Sequence, residues 1–232
     1  MQQQTSGHTI KAFDEDIERL RALISQMGGL AEHAIGEAMR CLVQRDLDGA
    51  QQIVADDKKL DALEIEAERR GVQLIALRAP MAGDLRDVVA ALKISGVVER
   101  IGDYAKNIAK RVPLLDGPAK IEPLSLLPEM ARIATGMVHD VLDAFVERDP
   151  EVAMRVCERD QAVDDFYDSI FRALLTHMME NPHNIGQSAH LLFVAKNLER
   201  VGDHATNIAE MVYYAATGQH LADRPAQGAI NP

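Results

Sequence analysis

Residues 99–109 read Glu-Arg-Ile-Gly-Asp-Tyr-Ala-Lys-Asn-Ile-Ala, and residues 199–209 read Glu-Arg-Val-Gly-Asp-His-Ala-Thr-Asn-Ile-Ala. The two stretches lie 100 positions apart (199 − 99 = 100) and differ only at Ile101/Val201, Tyr104/His204 and Lys106/Thr206. An internal repeat of this length indicates that one structural unit of about a hundred residues is used twice.

Apolar residues recur at intervals of three and four through most of the chain, which is typical of amphipathic helices. Asp46 and Asp149 are predicted N-caps, while Pro80, Pro113 and Asn181-Pro182 end helices. Helices are predicted over 10–45, 47–78, 81–112, 129–148, 150–180 and 185–216. The fold prediction is all-α, with two tandem, pseudo-symmetric antiparallel three-helix bundles. Their predicted bounds are 10–113 and 124–217, with a linker over 114–128 and flexible tails at 1–9 and 218–232.

Composition agrees with helix packing and limits the choice of partners. Aromatic residues make up 4 % and tryptophan is absent, so small aliphatic side chains and Met must fill the core. The formal charge of −11 disfavours non-specific binding to nucleic acid or to anionic lipid. Metal cations and basic protein surfaces fit this charge better.

The sequence also predicts a cytoplasmic location. Cys41 and Cys157 lie far apart in helical patterns and are interpreted as reduced, buried side chains. No secretory signal is recognised in residues 1–9, and no apolar run reaches the ~20 residues of a membrane span.

Four pairs of acidic residues are spaced four positions apart in the predicted helices. Residues at that spacing are neighbours on one helix face, where two carboxylates repel each other unless a cation lies between them. Carboxylate oxygens suit Mg²⁺, Mn²⁺, Fe or Zn²⁺, and two facing pairs predict a metal site that is mononuclear or multinuclear. The predicted metal ligands are Asp57, Asp61, Glu99, Asp103, Asp160, Asp164, Glu199 and Asp203, and Glu64 extends the first pair.

The helical angles predict where such a metal would lie. A helix turns by about 100° per residue, so Asp103 lies about 40° from Glu99, whereas the apolar stripe of the same helix lies about 160–240° away. We therefore expect the acids to point away from the core and to hold metal on the outer surface. Gly102 and Gly202 leave bare backbone beside the pairs, where a neighbouring group can approach closely.

Other interpretations of these acids remain open. Lys106 and Lys110 could pair locally with Glu99 or Asp103. A metalloenzyme, such as a hydrolase with a carboxylate-bound metal, is the alternative function, but no nucleophile–base pair and no set of histidine ligands is recognised. At the start of the third helix, Asp84 and Arg86 are candidates either for a helix cap or for contact with a partner.

The sequence resembles the PhoU family of phosphate-signalling proteins. The resemblance rests on the twin stretches, on the Asp-x-x-x-Asp pairs of the preceding helices, and on Pro80 followed by Asp84-Leu85-Arg86. It implies tandem three-helix bundles whose acidic motifs bind metal ions, in some members as iron or zinc clusters. The second half has Gln187-Ser188-Ala189 near the place of Asp84-Leu85-Arg86, so a partner contact there should belong to the first half alone.

The resemblance also implies a regulatory function without catalysis. Members are negative regulators of the phosphate-starvation response. They associate with the ATPase subunit of the high-affinity phosphate ABC transporter and with a sensor histidine kinase at the membrane. For this chain we expect the same partners, a homodimer, and recruitment to the inner face of the membrane through those partners.

Overall fold

The computed structural model describes residues 3–115 and 122–221, with side chains given for 11–115 and 124–221. Within these ranges the chain forms six α-helices and no strand, which confirms the all-α prediction. The helices are α1 (Gln3–Gln44), α2 (Leu47–Arg78), α3 (Gly83–Ala109), α4 (Leu127–Glu147), α5 (Pro150–Glu180) and α6 (Ile185–Thr217). Short 3₁₀ turns lie at Val112–Leu115, Glu122–Leu126 and Pro182–Asn184.

Side-chain caps set the start of α2 and α5, as predicted. The Asp46 carboxylate accepts a hydrogen bond of 2.9 Å from the backbone N–H of Gly49. Asp149 accepts bonds from the N–H groups of Glu151 and Val152 at 2.8 and 3.1 Å. Each cap satisfies backbone donors that have no partner inside the helix.

The structure differs from the prediction at two boundaries. α1 begins at Gln3, so residues 3–9 belong to the helix and are not a tail. Their polar side chains gave no apolar periodicity, but no proline interrupts them, and a helix once nucleated extends at little cost. The linker is shorter than predicted, because 3₁₀ turns and the first residues of α4 occupy both of its ends. The part of the predicted C-terminal tail beyond residue 221 lies outside the described residues.

The six helices form two bundles that share one apolar core. α1, α2 and α3 pack together, as do α4, α5 and α6, and α1–α4 and α3–α6 contacts join the bundles. α2 and α5 therefore lie at the outer edges, while α3 packs against α1, α2 and α6. Buried aliphatic side chains from both halves form a continuous core. None of the described helices has the length and hydrophobicity needed to cross a bilayer.

A pseudo-twofold relationship connects the halves. Tyr104 and His204 occupy equivalent positions in the two repeats, and their rings meet edge to face with centroids 5.2 Å apart. On either side of this pair, Arg111 lies over Phe193 and Arg86 lies beside Gly218. Because residue numbers rise along α3 as they fall along α6, the two helices are antiparallel across the axis.

Candidate functional site

The first acidic cluster lies between α2 and α3. Burial raises the pKa of Glu99, and the negative charges of Asp103, Asp61, Glu64 and Asp57 raise it further. The predicted ligands of the first half therefore lie close enough to repel one another. Such a cluster favours a cation among its oxygens.

The ammonium of Lys106 supplies positive charge in this cluster. Its Nζ donates to Asp57 Oδ2 and to Asp103 Oδ1, both at 2.5 Å, and so bridges α2 and α3. Burial opposes the charge on Lys106, but the hydrogen bonds to Asp103 and Asp57 outweigh it and raise the pKa of the lysine. Local pairing by lysine, one of the two interpretations of these acids, is thus present in the structure.

The second acidic cluster lies between α5 and α6. Lys196 Nζ donates to Glu199 Oε1 at 2.5 Å. Glu199 Oε2 is buried and has no hydrogen-bond partner among the described residues. A Cβ built on Gly202 would lie 3.3 Å from Asp160 Oδ1, so the glycine brings the α5 carboxylate close to the backbone of α6. Asp164 and Asp203 lie half-buried on the same two helices.

The outward direction predicted for Glu99 and Asp103 does not extend to the other pairs, where three acids are largely buried. The side chain of Asp57 is 8 % exposed and that of Glu199 is 14 % exposed, while Asp160 as a residue is 4 % exposed. Asp103, with a 39 % exposed side chain, agrees better with the predicted outward direction. Asp57 is covered by Lys106 of α3, and Asp160 lies against Gly202 of α6. Glu199 is largely buried because α6 packs against three helices and so buries a wider arc than one apolar stripe. Close packing is visible at Gly102, where a Cβ would lie 2.2 Å from Leu60 Cδ2.

The donor chemistry of both clusters suits a hard cation. Their oxygen donors include the buried, unpartnered Oε2 of Glu199, which calls for a positive charge or a donor nearby. No three His, Cys, Asp or Glu side chains within the described ranges are arranged around a common point, however. In the first cluster the carboxylates of Asp57 and Asp103 surround the Lys106 ammonium instead. A metal there would take the place of that ammonium.

The Asp84-Leu85-Arg86 segment lies at the start of α3. Asp84 is exposed, as a partner contact requires. Arg86 is half-buried, and its guanidinium packs against the end of α6, where a Cβ on Gly218 would lie 3.3 Å from Arg86 Cζ. Arg86 thus helps to hold the two bundles together, and of this pair Asp84 is the exposed residue.

The next residue, Asp87, was not recognised in the sequence. Its Oδ2 accepts a bond from Arg21 Nη2 at 2.9 Å, and Oδ1 lies 3.1 Å from Arg148 Nη2. Burial raises the pKa of Asp87, and the charges of Arg148 and Arg21 oppose that rise. This ion network ties α1 and α3 to the α4–α5 connection and so joins the two halves.

Comparison with known proteins identifies the class of this chain. The chain matches the PhoU domain over residues 24–112 and again over 127–212, which correspond to the two bundles. The chain therefore belongs to the PhoU family.

Individual relatives agree with that assignment. The chain is 56 % identical over 218 residues to the "Phosphate-specific transport system accessory protein PhoU homolog" of Zymomonas mobilis, covering 94 % of this chain and 92 % of that protein. It is 47 % identical over 221 residues to the protein of the same name from Caulobacter vibrioides, covering 94 % and 95 %. The crystal structure of PhoU from Pseudomonas aeruginosa matches with a TM-score of 0.84 at 33 % identity, covering 89 % of this chain and all of that one. PhoU from Streptococcus pneumoniae gives the same TM-score at 26 % identity, with coverage of 90 % and 99 %.

Proposed function

We propose that this protein is a regulatory adaptor of phosphate uptake, without catalytic activity of its own. The observation that carries the proposal is the 56 % identity, over nearly the full length of both chains, to a protein named as an accessory of the phosphate-specific transport system. The fold supports the same function, because a pair of bundles with one shared core offers broad helix faces to partners.

The proposed partners are the ATPase subunit of the phosphate transporter and the sensor histidine kinase of the phosphate regulon. When phosphate is plentiful, the adaptor holds the kinase in a state that keeps phosphate-starvation genes repressed. Exposed Asp84 at the start of α3 is a candidate contact on this chain. The protein acts in the cytoplasm as a homodimer and reaches the membrane through these partners; light scattering of the purified protein tests the dimer.

Deletion of the gene tests the regulatory function. Phosphate-starvation promoters should be active in phosphate-rich medium in the deletion strain and should be repressed again when the gene is restored. Promoters that stay repressed in the deletion strain would contradict negative regulation.

Metal binding is the second part of the proposal. Asp57, Asp61, Glu99 and Asp103 would hold a cation in the first half, and Asp160, Asp164, Glu199 and Asp203 in the second. Support comes from the raised pKa of Glu99 among four other carboxylates and from the unpartnered Oε2 of Glu199. A bound cation would supply positive charge that couples α2 to α3, and α5 to α6.

Elemental analysis of wild type and two double variants tests the sites separately. Glu99→Ala with Asp103→Ala should remove metal from the first half, and Glu199→Ala with Asp203→Ala from the second. Thermal melts recorded in parallel show whether each variant is folded. Metal content equal to wild type in both folded variants would exclude these residues as ligands.

A further inference from the structure

Two cations lie on one side of α3, and a third follows two residues past its end. Lys93, Arg100 and Arg111 are separated by seven and eleven residues, intervals that return a helix to the same face. The row is about 27 Å long, since each residue advances a helix by about 1.5 Å. Lys93 and Arg100 are exposed, and neither makes an ion pair with a residue of the described ranges. This chain of net charge −11 thus carries a row of three cations along α3 and the turn that follows it.

The equivalent positions of α6, 100 residues later, combine apolar and basic side chains. They are Phe193, Arg200 and Met211. Phe193 is 54 % exposed, and Arg111 Cζ lies 4.6 Å from the centre of its ring. Because α3 and α6 are antiparallel, Met211 lies towards the opposite end of the row from Phe193. We call the surface formed by Lys93, Arg100, Arg111, Phe193, Arg200 and Met211 the basic seam.

The pseudo-twofold axis crosses the middle of the basic seam. There Arg100 and Arg200 are both exposed, and the charges of both act on Tyr104 and His204 between them. Arg200 Cζ lies 6.0 Å from the centre of the Tyr104 ring. Both repeats retain these two arginines, as they retain the half-buried acids beside them. Asp103 and Glu199 form ion pairs with lysines, whereas neither arginine forms an ion pair with a described residue.

We propose that the basic seam is the docking surface for an acidic amphipathic helix of a partner protein. Carboxylates of such a helix would pair with the cations of α3, and its apolar side chains would cover Phe193 on α6. A length of about 27 Å corresponds to about 18 residues of helix. This inference rests on the proposed adaptor function and assigns the surface through which it acts.

The charges that border the basic seam select this occupant. On the helical wheel of α3, Asp103 and Glu99 lie about 60° and 100° from Arg100, on the side where Lys106 joins Asp103 to Asp57 of α2. Glu199 and Asp203 occupy the equivalent positions of α6. A narrow basic row between acidic borders complements a helix with an acidic stripe. The same borders repel a broad anionic surface, such as a lipid bilayer or a nucleic-acid duplex.

Charge reversal at the centre of the basic seam tests the proposal. The full-length protein is titrated by calorimetry with the purified ATPase subunit and with the cytoplasmic part of the sensor kinase. Arg100→Glu with Arg200→Glu should weaken binding of at least one of them by about tenfold or more, since like charges would then face each other. Wild-type binding should weaken with added salt, and the variant should respond less. Lysine substitutions in the acidic helix of that partner should restore its binding to the variant.

The matched control is Arg155→Glu with Arg172→Glu, which changes the net charge equally on exposed positions of α5. This control should bind as wild type does, and both variants should melt near the wild-type temperature because surface changes affect stability little. Equal binding by wild type and the seam variant would overturn the proposal while leaving the adaptor function intact. Absence of binding by wild type to either partner would contradict the adaptor function and the seam together. Binding of wild type to phosphatidylglycerol vesicles, lost in the seam variant, would identify a lipid surface and also overturn the proposal.

Discussion

The two halves of the molecule place carboxylates at equivalent positions and balance their charge differently. In the first half, Lys106 bridges Asp57 and Asp103 across α2 and α3. In the second half Thr206 takes its place and donates to the backbone carbonyl of Asp203. The second half instead has Lys196 paired with Glu199, at the position where the first half has Gly96. The repeat has therefore kept its acids and exchanged its cations, so the two clusters are expected to differ in stability and in their response to metal.

The largest expected effect is the loss of stability when Asp87, at the start of α3, is replaced. The equivalent residue of α6 is Gln187. Asp87→Ala leaves the half-buried guanidinium of Arg21 without its carboxylate, and removes the partner of Arg148. Breaking a buried ion pair from one side should lower the free energy of unfolding by about 3 kcal/mol. Urea denaturation, monitored by circular dichroism, measures this change in unfolding free energy.

Gln187→Ala is the matched control, because it alters the equivalent position without removing a charge. Its effect should stay within about 0.5 kcal/mol, as for most surface substitutions. A loss at Asp87 no larger than the loss at Gln187 would show that the ion network does not join the halves energetically.

The second largest expected effect is the loss of stability when Lys106 is replaced. Lys106→Met removes the ammonium between Asp57, which is nearly buried, and Asp103. The unpaired carboxylates should cost about 2 kcal/mol of unfolding free energy in metal-free buffer. Adding Mn²⁺ should recover more stability in this variant than in wild type, because the cation position is then vacant.

Lys110→Met provides the comparison, since Lys110 is exposed and is the first residue after α3. Its stability should match that of wild type with and without Mn²⁺. Equal stability of the two lysine variants would mean that the Lys106 ion pairs do not stabilise the first cluster, and that the two halves do not differ in how their acids are balanced.

Features set by local chemistry could be predicted from the sequence, and those set by distant neighbours could not. α2 has the predicted bounds because Asp46 caps its first turn and Pro80 follows its end. The burial of Asp160 and Glu199 could not be predicted, because a helical wheel shows one apolar stripe and not which helices pack around it. Asp87 could not be recognised, since its partner Arg21 lies 66 residues away in the chain. The approach of Tyr104 to His204 likewise depends on how the two bundles are joined.

A smaller change in stability is expected at the connection between the second and third helices, where the two halves differ in backbone strain. Ala82 has φ 48° and ψ −110°, a backbone conformation that strains any residue with a Cβ, and Ala79 has φ 48°. The equivalent connection before α6 has no positive φ, because Asn181 and a 3₁₀ turn make the bend. Ala82→Gly should raise the free energy of unfolding by about 1 kcal/mol through relief of this strain. Ala76→Gly, in the exposed helical turn just before, should lower it by a similar amount. A destabilised Ala82→Gly protein would show that the turn is not strained.

The smallest expected effect is the pH dependence of the unfolding free energy that comes from His204, which faces Tyr104 at the pseudo-twofold axis. Burial lowers the pKa of His204, and the positive charges of Arg100 and Arg200 lower this pKa further. The hydrogen bond from His204 Nδ1 to the carbonyl of Arg200 acts in the opposite direction and raises it. In the unfolded chain the imidazole titrates near pH 6.5, so below that pH the unfolded state binds more protons than the folded state. The contribution of His204 to stability is therefore complete above about pH 6.5 and is lost as the pH falls through the lower folded-state pKa.

Replacement of this histidine by a ring that does not titrate isolates the effect. His204→Phe keeps an aromatic edge against Tyr104, so the unfolding free energy at pH 7.5 should change little, while the decrease between pH 7 and pH 5 should become smaller than in wild type. His190, whose pKa is lowered by burial and by Arg111, retains a similar dependence and should account for part of the remaining decrease. His190→Gln in the His204→Phe background should reduce it again. Parallel pH profiles for wild type and His204→Phe would mean that folding does not lower the pKa of His204.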